Sequence, residues 1–263
     1  MKKRRALFCA LILTLGCLAG CAPKAAEGTQ IQVFIAASLS DAMTEIAAEY
    51  NKEHPEVTIS FNADSSGTLM QQIKEGFECD LFFSASTDEV EELDSLGFVK
   101  DGSTRRLLEN SVVLISAKDS GTAVTGFENI TDATDLALAG ESVPVGKYSR
   151  QIFTNLGIYD DVMAMEINAC KNVTAVKEAV KEGANEVGTV YYSDAFSVKD
   201  DVDIIASADP DLLDTPIIYP AALIENDQAD DAQTRAAEAF LDYLSSDAAK
   251  RIFSDHMFII HED

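Results

Sequence analysis

The sequence predicts an α/β protein in which two lobes enclose a ligand cleft. Short apolar strands alternate with amphipathic helices over most of residues 30–260, an order typical of βαβ units and a mostly parallel sheet. We find no internal repeat and no low-complexity linker. We therefore expect the chain to cross between two α/β lobes on strands, and a small ligand to bind between them.

Three strand–helix pairs occupy the first half of the chain. The runs IQVFIAA, VTISFNA and CDLFFSA are short, apolar and partly β-branched, which predicts strands. Helices are expected from about Ser40, over residues 68–76, and up to Gly97. The apolar positions of the first helix fall on one face; they are Met43, Ile46, Ala47 and Tyr50.

The second half continues the alternation. SVVLISA predicts a strand over residues 111–117, and a helix is expected near residues 130–139. VPVGKYSRQIFTNLG and NVTAVKEAVKEG predict two further helices, the second with Asn172 as its N-cap. EVGTVYYSDA predicts a strand that ends in a polar turn. IIYPAALI predicts an edge or crossing strand, because Pro220 cannot donate to a ladder. AAEAFLDYLSSDAAKRIF predicts the closing helix.

Residues 1–20 have the pattern of a signal peptide, with four cations before an apolar stretch too short for a comfortable membrane span. The stretch ends in LAGC, which resembles the lipobox of bacterial lipoproteins and predicts lipidation at Cys21. Residues 21–29 would then be a linker from a lipid anchor on the outer face of the membrane. The alternative is an ordinary signal peptide cleaved after Ala19 or Ala22.

The composition excludes several function classes. Without residues 1–20 the chain has 16 Lys and Arg against 45 Asp and Glu, a formal charge of −29, so nucleic acid is not an expected partner. The histidines and cysteines show no metal-ligand spacing. Cys79 and Cys170 could form one bridge, but two free thiols are favoured.

Candidate binding residues lie where strands run into helices. Ser38 and Ser66 stand at two predicted helix starts, and Val145 and Val173 at two others. Helix starts carry free N–H donors and a partial positive charge, which suits an anion. Tyr191 follows a strand in VYYSDA. Taken singly, the serines could be N-caps and the other three residues could belong to the core.

Taken together, these segments resemble the periplasmic molybdate-binding proteins of ABC transporters. The resemblance runs from about Ile31 to Ile260 through VFIAASLSDAM, SSGTLMQQI, CDLFFSAS, VPVGKY, GTVYYSDA and YPAALI, in the family's order. It implies a type II periplasmic-binding-protein-like fold. Lobe I would comprise residues 30–112 and 218–263, and lobe II residues 113–217.

The resemblance also implies a ligand and its contacts. A tetrahedral oxyanion, molybdate and by extension tungstate, would be held by the hydroxyls of Ser38, Ser66 and Tyr191 and the backbone N–H groups of Val145 and Val173. Some relatives have two serines where this chain has Ala37 and Ser38, so Ala37 could contribute through its backbone. The protein would be a monomeric, lipid-anchored importer subunit that delivers the anion to an ABC permease. It would need no cofactor and no metal ion of its own.

Three alternatives remain at this stage. The ligand could be another oxyanion, such as sulfate or phosphate. An enzyme such as an esterase could use the cleft, although the sequence has no GxSxG motif and its histidines lie outside the candidate segments. A surface adhesin is the third class, and no sequence feature favours it.

Overall fold

The computed structural model describes residues 28–262 of the chain. The predicted signal peptide, Cys21 and all but the last two residues of the predicted linker lie outside this range. Among residues 28–262, no helix combines the length and the apolar character that crossing a membrane requires.

The described residues form eleven strands and nine α-helices. The strands are β1 (Thr29–Ala36), β2 (Val57–Asp64), β3 (Leu81–Phe83), β4 (Arg105–Asn110), β5 (Val112–Ala117), β6 (Asp135–Ala139), β7 (Glu166–Cys170), β8 (Val187–Tyr191), β9 (Val202–Ser207), β10 (Ile217–Leu223) and β11 (Ile259–Ile260). The helices are α1 (Ser40–Tyr50), α2 (Ser66–Lys74), α3 (Thr87–Ser95), α4 (Pro144–Asn155), α5 (Tyr159–Met163), α6 (Val173–Lys181), α7 (Tyr192–Ser197), α8 (Asp231–Leu244) and α9 (Asp247–Asp255).

The strands form two sheets, one in each lobe, which confirms the predicted two-lobed α/β fold. The first sheet has the order β11–β4–β10–β3–β1–β2 and the second has the order β7–β6–β8–β5–β9. The chain passes from the first sheet to the second between Asn110 and Val112, and it returns between Ser207 and Ile217. Helices pack against both sheets, and a continuous set of buried apolar side chains extends through both lobes.

Both sheets are mixed, so the predicted mostly parallel sheet is wrong. β1 is parallel to β2 and β3, and β6 is parallel to β7 and β8. β10 is antiparallel to β3 and β4, and β5 is antiparallel to β8 and β9. The antiparallel pairs arise where the chain crosses between the lobes. β5 and β10 each enter their lobe from the other lobe, so they run against neighbours that end at the cleft.

The predicted helix near residues 130–139 is also wrong. A 3₁₀ segment covers Phe127–Asp132, and the strand β6 follows it. Leu136 to Ala139 are fully buried, which an amphipathic helix at this place would not allow. A strand covered on both faces is apolar at every position, and in a short run this pattern cannot be told from that of a buried helix.

Of the two alternatives predicted for the strand with Pro220, the crossing strand is right, and this strand is central in its sheet rather than at an edge. β10 is flanked by β3 and β4, and its register shifts between Tyr219 and Pro220. A bulge of this kind interrupts the ladder and lets a sheet accept a residue without an N–H group.

Two smaller differences concern helices. The polar turn expected after β8 is the helix α7, and the predicted closing helix is divided into α8 and α9.

Two cysteines fall within the described residues. Cys79 and Cys170 are both buried and are not bonded to each other. Burial raises the pKa of the Cys79 thiol above its ordinary range and also raises that of Cys170, so both favour the neutral form.

Gly146 allows α4 to start close to the end of β6. A Cβ at this position would lie 2.2 Å from the carbonyl oxygen of Gly140 and 2.5 Å from that of Ala139. We therefore expect Gly146→Ala to lower the free energy of unfolding by about 1–3 kcal/mol, the usual effect of overpacking. Urea denaturation measures this change.

Gly140→Ala is the matched control. A Cβ at Gly140 would find its nearest neighbour at 3.9 Å, an ordinary contact, so this substitution should cost clearly less. Equal losses in the two variants would contradict the packing argument.

Candidate functional site

A cavity of about 210 Å³, counted with its open mouth, lies between the two lobes. Residues 36–38, 64–66 and Ala85 line it from the first lobe. Residues 143–145, 172–173 and Tyr191 line it from the second lobe. Each segment lies at or just beyond the carboxyl end of a strand, as is usual for ligand sites in α/β proteins. We call this space the interlobe cavity.

The structure brings all five predicted binding residues to the interlobe cavity. They are Ser38, Ser66, Val145, Val173 and Tyr191. Ala37, the residue at which this chain departs from some relatives, lines the cavity beside Ser38. Their contacts with a ligand stay a prediction.

Ser66 is not the N-cap of its helix. Ser65 precedes α2 and its hydroxyl accepts the Thr68 N–H at 3.2 Å. Ser66 is 1% exposed, and its Oγ accepts the Ala85 N–H at 2.9 Å. Because a backbone N–H can only donate, the hydroxyl hydrogen of Ser66 remains available for a different acceptor.

Two helices of the second lobe start at the cavity. α4 begins at Pro144, and Val143 before it provides no side-chain cap. α6 begins at Val173, and its N-cap Asn172 accepts the N–H of Ala175 at 3.0 Å. In both helices the N–H of the cavity-lining valine belongs to the first turn, where amides have no intrahelical partner.

Tyr191 presents the clearest unsatisfied donor. It is 2% exposed, and its buried hydroxyl has no hydrogen-bond partner among the described residues. Burial raises the pKa of this phenol well above its ordinary value, and nearby Tyr219 raises it further. The group is therefore a neutral hydroxyl, and leaving it unpaired costs about 1–3 kcal/mol.

Sequence reasoning assigned no binding role to Ser65 and Asn172, which line the cavity; Asn172 was predicted only as an N-cap. Asp64 also lines the cavity, where the sequence had suggested it as a carboxylate that could accept the proton of phosphate. Asp64 Oδ1 accepts the Asn172 Nδ2–H at 2.9 Å across the lobes and the Ser65 N–H at 2.8 Å. Among the described residues no Lys or Arg lines the cavity, so any anion there would depend on neutral donors.

The lobes are closed over the cavity in this structure. A Cβ at Gly67 would lie 2.1 Å from the carbonyl oxygen of Ser142 in the other lobe, so only glycine permits this approach. Lys147 of α4 forms an ion pair with Glu89 of α3 at 2.6 Å, and its Nζ lies 3.6 Å from Asp88. The Asp64–Asn172 hydrogen bond joins the lobes at the cavity wall.

Comparison with known proteins gives a family match over most of the chain. The family model described as "Bacterial extracellular solute-binding protein" matches residues 31–259. The chain is 33% identical to the Bacillus subtilis protein named as an ABC transporter substrate-binding lipoprotein, YvgL, over 98% of this chain and 99% of that protein. It is 30% identical to the molybdate-binding protein ModA of Haemophilus influenzae, over 98% and 99% of the two chains.

Two solved structures are similar to the whole described part of the chain. One is the substrate-binding domain named for a molybdenum ABC transporter of Clostridium difficile, with 32% identity, a TM-score of 0.67, and coverage of 89% of this chain and 99% of that chain. The other is the periplasmic molybdate-binding protein of Azotobacter vinelandii, with a TM-score of 0.76 over 88% of this chain and 100% of that chain. At 20% identity, the second supports the fold alone.

A second cavity adjoins the first, and we call it the Asp194 cavity. It measures about 440 Å³ with its open mouth and shares Ala37 and Ser38 with the interlobe cavity. Asp194 is 4% exposed, and its Oδ2 has no hydrogen-bond partner among the described residues. Burial raises the pKa of this carboxyl to about 7, although Lys177 opposes the shift; Asp41 adds to it.

The raised pKa of Asp194 makes stability depend on pH. The folded state holds the carboxyl proton up to about pH 7, whereas an unfolded aspartate loses it near pH 4. Between these values the folded state binds more protons, so the contribution of Asp194 to stability falls as pH rises. The stability of Asp194→Asn relative to wild type should therefore increase by about 1–3 kcal/mol between pH 5 and pH 8.

Urea denaturation at several pH values measures this difference. Asp41→Asn removes an acid of the same cavity that adds to the raised pKa of Asp194, so it should weaken the pH dependence slightly and much less than Asp194→Asn. A difference in the free energy of unfolding between Asp194→Asn and wild type that stays the same at every pH would contradict the prediction.

Proposed function

Because the chain belongs to the bacterial extracellular solute-binding protein family, we propose that it binds molybdate, and also tungstate, in the interlobe cavity. It would deliver the anion to the permease of an ABC importer. The family consists of solute-binding proteins rather than enzymes.

The observation that carries this proposal is the set of donors without protein acceptors around one cavity. The Tyr191 hydroxyl has no hydrogen-bond partner in the described part of the chain, the Ser66 oxygen already accepts one hydrogen bond, and two helix starts contribute free N–H groups. Hydrogen bonds to a charged group are worth about 1.5–3 kcal/mol each. Several of them converging on a dianion offset much of its desolvation without a buried cation.

The choice of molybdate rests on similarity. The relatives from Haemophilus influenzae and Escherichia coli are both named molybdate-binding proteins, at 30% identity. The Bacillus subtilis relative is named without a ligand. A receptor for sulfate or phosphate is therefore the second candidate, and the donor set suits any small tetrahedral anion.

The cavity would distinguish these anions by whether the anion carries a proton and by its size. Phosphate carries at least one proton near neutral pH and would bring a donor into a cavity of donors. Asp64 is the one carboxylate on the cavity wall, and its Oδ1 already accepts two hydrogen bonds. Asp194 does not line this cavity. Sulfate has no proton, but it is smaller than molybdate and would leave some hydrogen bonds stretched.

Calorimetric titration of the purified protein with molybdate, tungstate, sulfate and phosphate tests the proposal. We expect molybdate and tungstate to bind most tightly, sulfate more weakly and phosphate most weakly. Sulfate binding more tightly than molybdate would favour the second candidate. Saturation by none of the four anions would refute an oxyanion receptor.

The esterase alternative has no support at the cavity. None of the three histidines lines it. They lie instead beside glutamates: His54 beside Glu56, His256 beside Glu45 and His261 beside Glu109. A serine nucleophile at Ser38 or Ser66 would therefore have no histidine base within the cavity.

We further propose that the protein is a monomer held at the outer face of the membrane by a lipid on Cys21. The support is the LAGC motif and the name of the Bacillus subtilis relative, which includes the word lipoprotein. A lipid anchor would keep the binding protein near its permease.

Tyr191→Phe should lower the affinity for the anion without lowering the stability of the protein. The substitution removes one donor to the anion, so molybdate affinity should fall by about 1.5–3 kcal/mol, or roughly 10- to 150-fold. It also removes a buried hydroxyl without a partner, so the protein without ligand should be as stable as wild type or more stable. Ser66→Ala is less clean because it also leaves the Ala85 N–H unpaired.

Calorimetry and urea denaturation on the same Tyr191→Phe sample give both quantities. Tyr148→Phe is the matched control, since Tyr148 is a partly buried tyrosine of the same lobe that does not line the interlobe cavity. Unchanged affinity in Tyr191→Phe would remove Tyr191 from the binding site.

Cys21→Ala should release the protein from the membrane and leave anion binding unchanged. The thioether that carries the lipid cannot form without the cysteine sulfur, while the described residues that line the cavity are unaltered. Fractionation of cells that express each form measures the distribution, and Cys79→Ala is the control cysteine substitution. Equal membrane retention of Cys21→Ala and wild type would refute the lipid anchor.

A further inference from the structure

Three polar side chains form a hydrogen-bonded chain that ends at the interlobe cavity. Asn110 Nδ2 donates to the Tyr219 hydroxyl at 3.3 Å, and the Tyr219 hydroxyl lies 3.1 Å from Ser38 Oγ. Asn110 Nδ2 also donates to Ser193 Oγ at 2.9 Å. Of these residues only Ser38 lines the cavity. Asn110 and Tyr219 lie where the chain crosses between the lobes, at the end of β4 and within β10.

The orientation of the Asn110 amide is fixed by the backbone. The N–H of Ser111 donates to Asn110 Oδ1 at 2.9 Å, and a backbone N–H has no other role in a hydrogen bond. The oxygen of the amide therefore faces Ser111. Its nitrogen, which can only donate, faces Ser193 and Tyr219.

This orientation sets the direction of the next hydrogen bond. Tyr219 is 0% exposed, so its hydroxyl hydrogen cannot be satisfied by solvent. Its oxygen already receives the Asn110 amide, and Ser38 Oγ is the acceptor within reach. If Ser38 donated to Tyr219 instead, a buried hydroxyl hydrogen would have no acceptor, which is costly. Tyr219 therefore donates and Ser38 accepts.

We propose that Asn110 and Tyr219 are positioning residues that hold the Ser38 hydroxyl as a donor toward the anion. The inference rests on the proposed function. With one lone pair of its oxygen occupied by Tyr219, the Ser38 hydroxyl keeps its hydrogen, which can donate toward the cavity side. Ser66 is set in the same way by the backbone N–H of Ala85. Both serines would therefore have a hydrogen available for the ligand.

This arrangement makes the site selective for a class of anion. A hydroxyl that is free to rotate can donate to an unprotonated oxygen or accept from a protonated one. A hydroxyl whose oxygen already accepts one hydrogen bond keeps its hydrogen and only one of its two lone pairs, so its capacity to accept is halved while its capacity to donate is intact. The Asn110–Tyr219–Ser38 chain would therefore favour fully deprotonated oxyanions over those that carry a proton.

The test is a double-mutant cycle of Tyr219→Phe and Ser38→Ala, read by molybdate calorimetry. Phenylalanine keeps the edge-to-face ring contacts of Tyr219 with Tyr191 and Phe258, whose centroids lie 5.6 and 5.4 Å away. We expect Tyr219→Phe to weaken molybdate binding about three- to tenfold. The double variant should bind no more weakly than Ser38→Ala alone, because Tyr219 acts through Ser38.

Two further measurements keep the test decisive. Tyr50→Phe, at a buried tyrosine of the same lobe, should leave molybdate affinity unchanged.

Asn110→Asp replaces the donating nitrogen with an accepting oxygen. The Tyr219 hydroxyl would then donate to this oxygen and accept from the Ser38 hydroxyl. This variant should lose more affinity than Tyr219→Phe, and part of the loss should vanish in a Ser38→Ala background. The loss of molybdate affinity that remains in the Ser38→Ala background reports the effect of the negative charge that Asn110→Asp would add.

The outcomes separate the two proposals. Wild-type protein that binds none of the tested anions would remove the proposed function and with it this inference. If wild type binds molybdate but the losses of Tyr219→Phe and Ser38→Ala simply add, Tyr219 has only a structural role and the inference fails alone. Unchanged affinity in Ser38→Ala would also overturn it.

Discussion

Around the interlobe cavity lie donors that have no acceptor among residues 28–262, of which the Tyr191 hydroxyl is the clearest. A buried N–H or O–H group normally finds a partner, and leaving one unpaired costs about 1–3 kcal/mol. The fold keeps several such groups at one place because strands of both lobes end there and helices start there. Helix starts provide amides that the helix itself cannot satisfy. In the proposed function, a bound anion would recover this cost.

The unpaired donors also explain why the two lobes close over the cavity. Donors from one lobe alone would remain in contact with water, which competes for every hydrogen bond that they could make to an anion. In the closed structure the Asp64–Asn172 hydrogen bond and the Lys147–Glu89 ion pair join the lobes on different sides. Glu89 is 2% exposed, and within residues 28–262 one of its carboxylate oxygens has no hydrogen-bond partner. In the proposed function, a ligand that bridges the lobes would add to these contacts and favour the closed form.

Local signals made much of the site predictable, whereas the missed features depend on tertiary neighbours. A serine or a capped helix after a strand is visible in sequence, and Ser38, Ser66 and Val173 were found on that basis. The Asp64–Asn172 contact joins residues 108 positions apart, and a single sequence contains no trace of it. The same limit applies to the fold. The prediction for Pro220 left an edge strand open as one alternative, because the bulge that accommodates this residue in a central strand forms against another strand.

The acidic character of the chain and its anion site are compatible because they act over different distances. The formal charge of −25 for the whole sequence is dispersed, and salt screens exposed charges beyond about 8–10 Å. Inside a closed cavity, water is excluded and donors act at hydrogen-bond distance with little screening. Affinity would therefore be set by a few neutral groups, and net charge would influence mainly the rate of encounter. A buried lysine would add attraction, but it would also bind any anion that fits. Donors whose directions are fixed by neighbours such as Ala85 and Tyr219 can discriminate by geometry and protonation, which a point charge cannot.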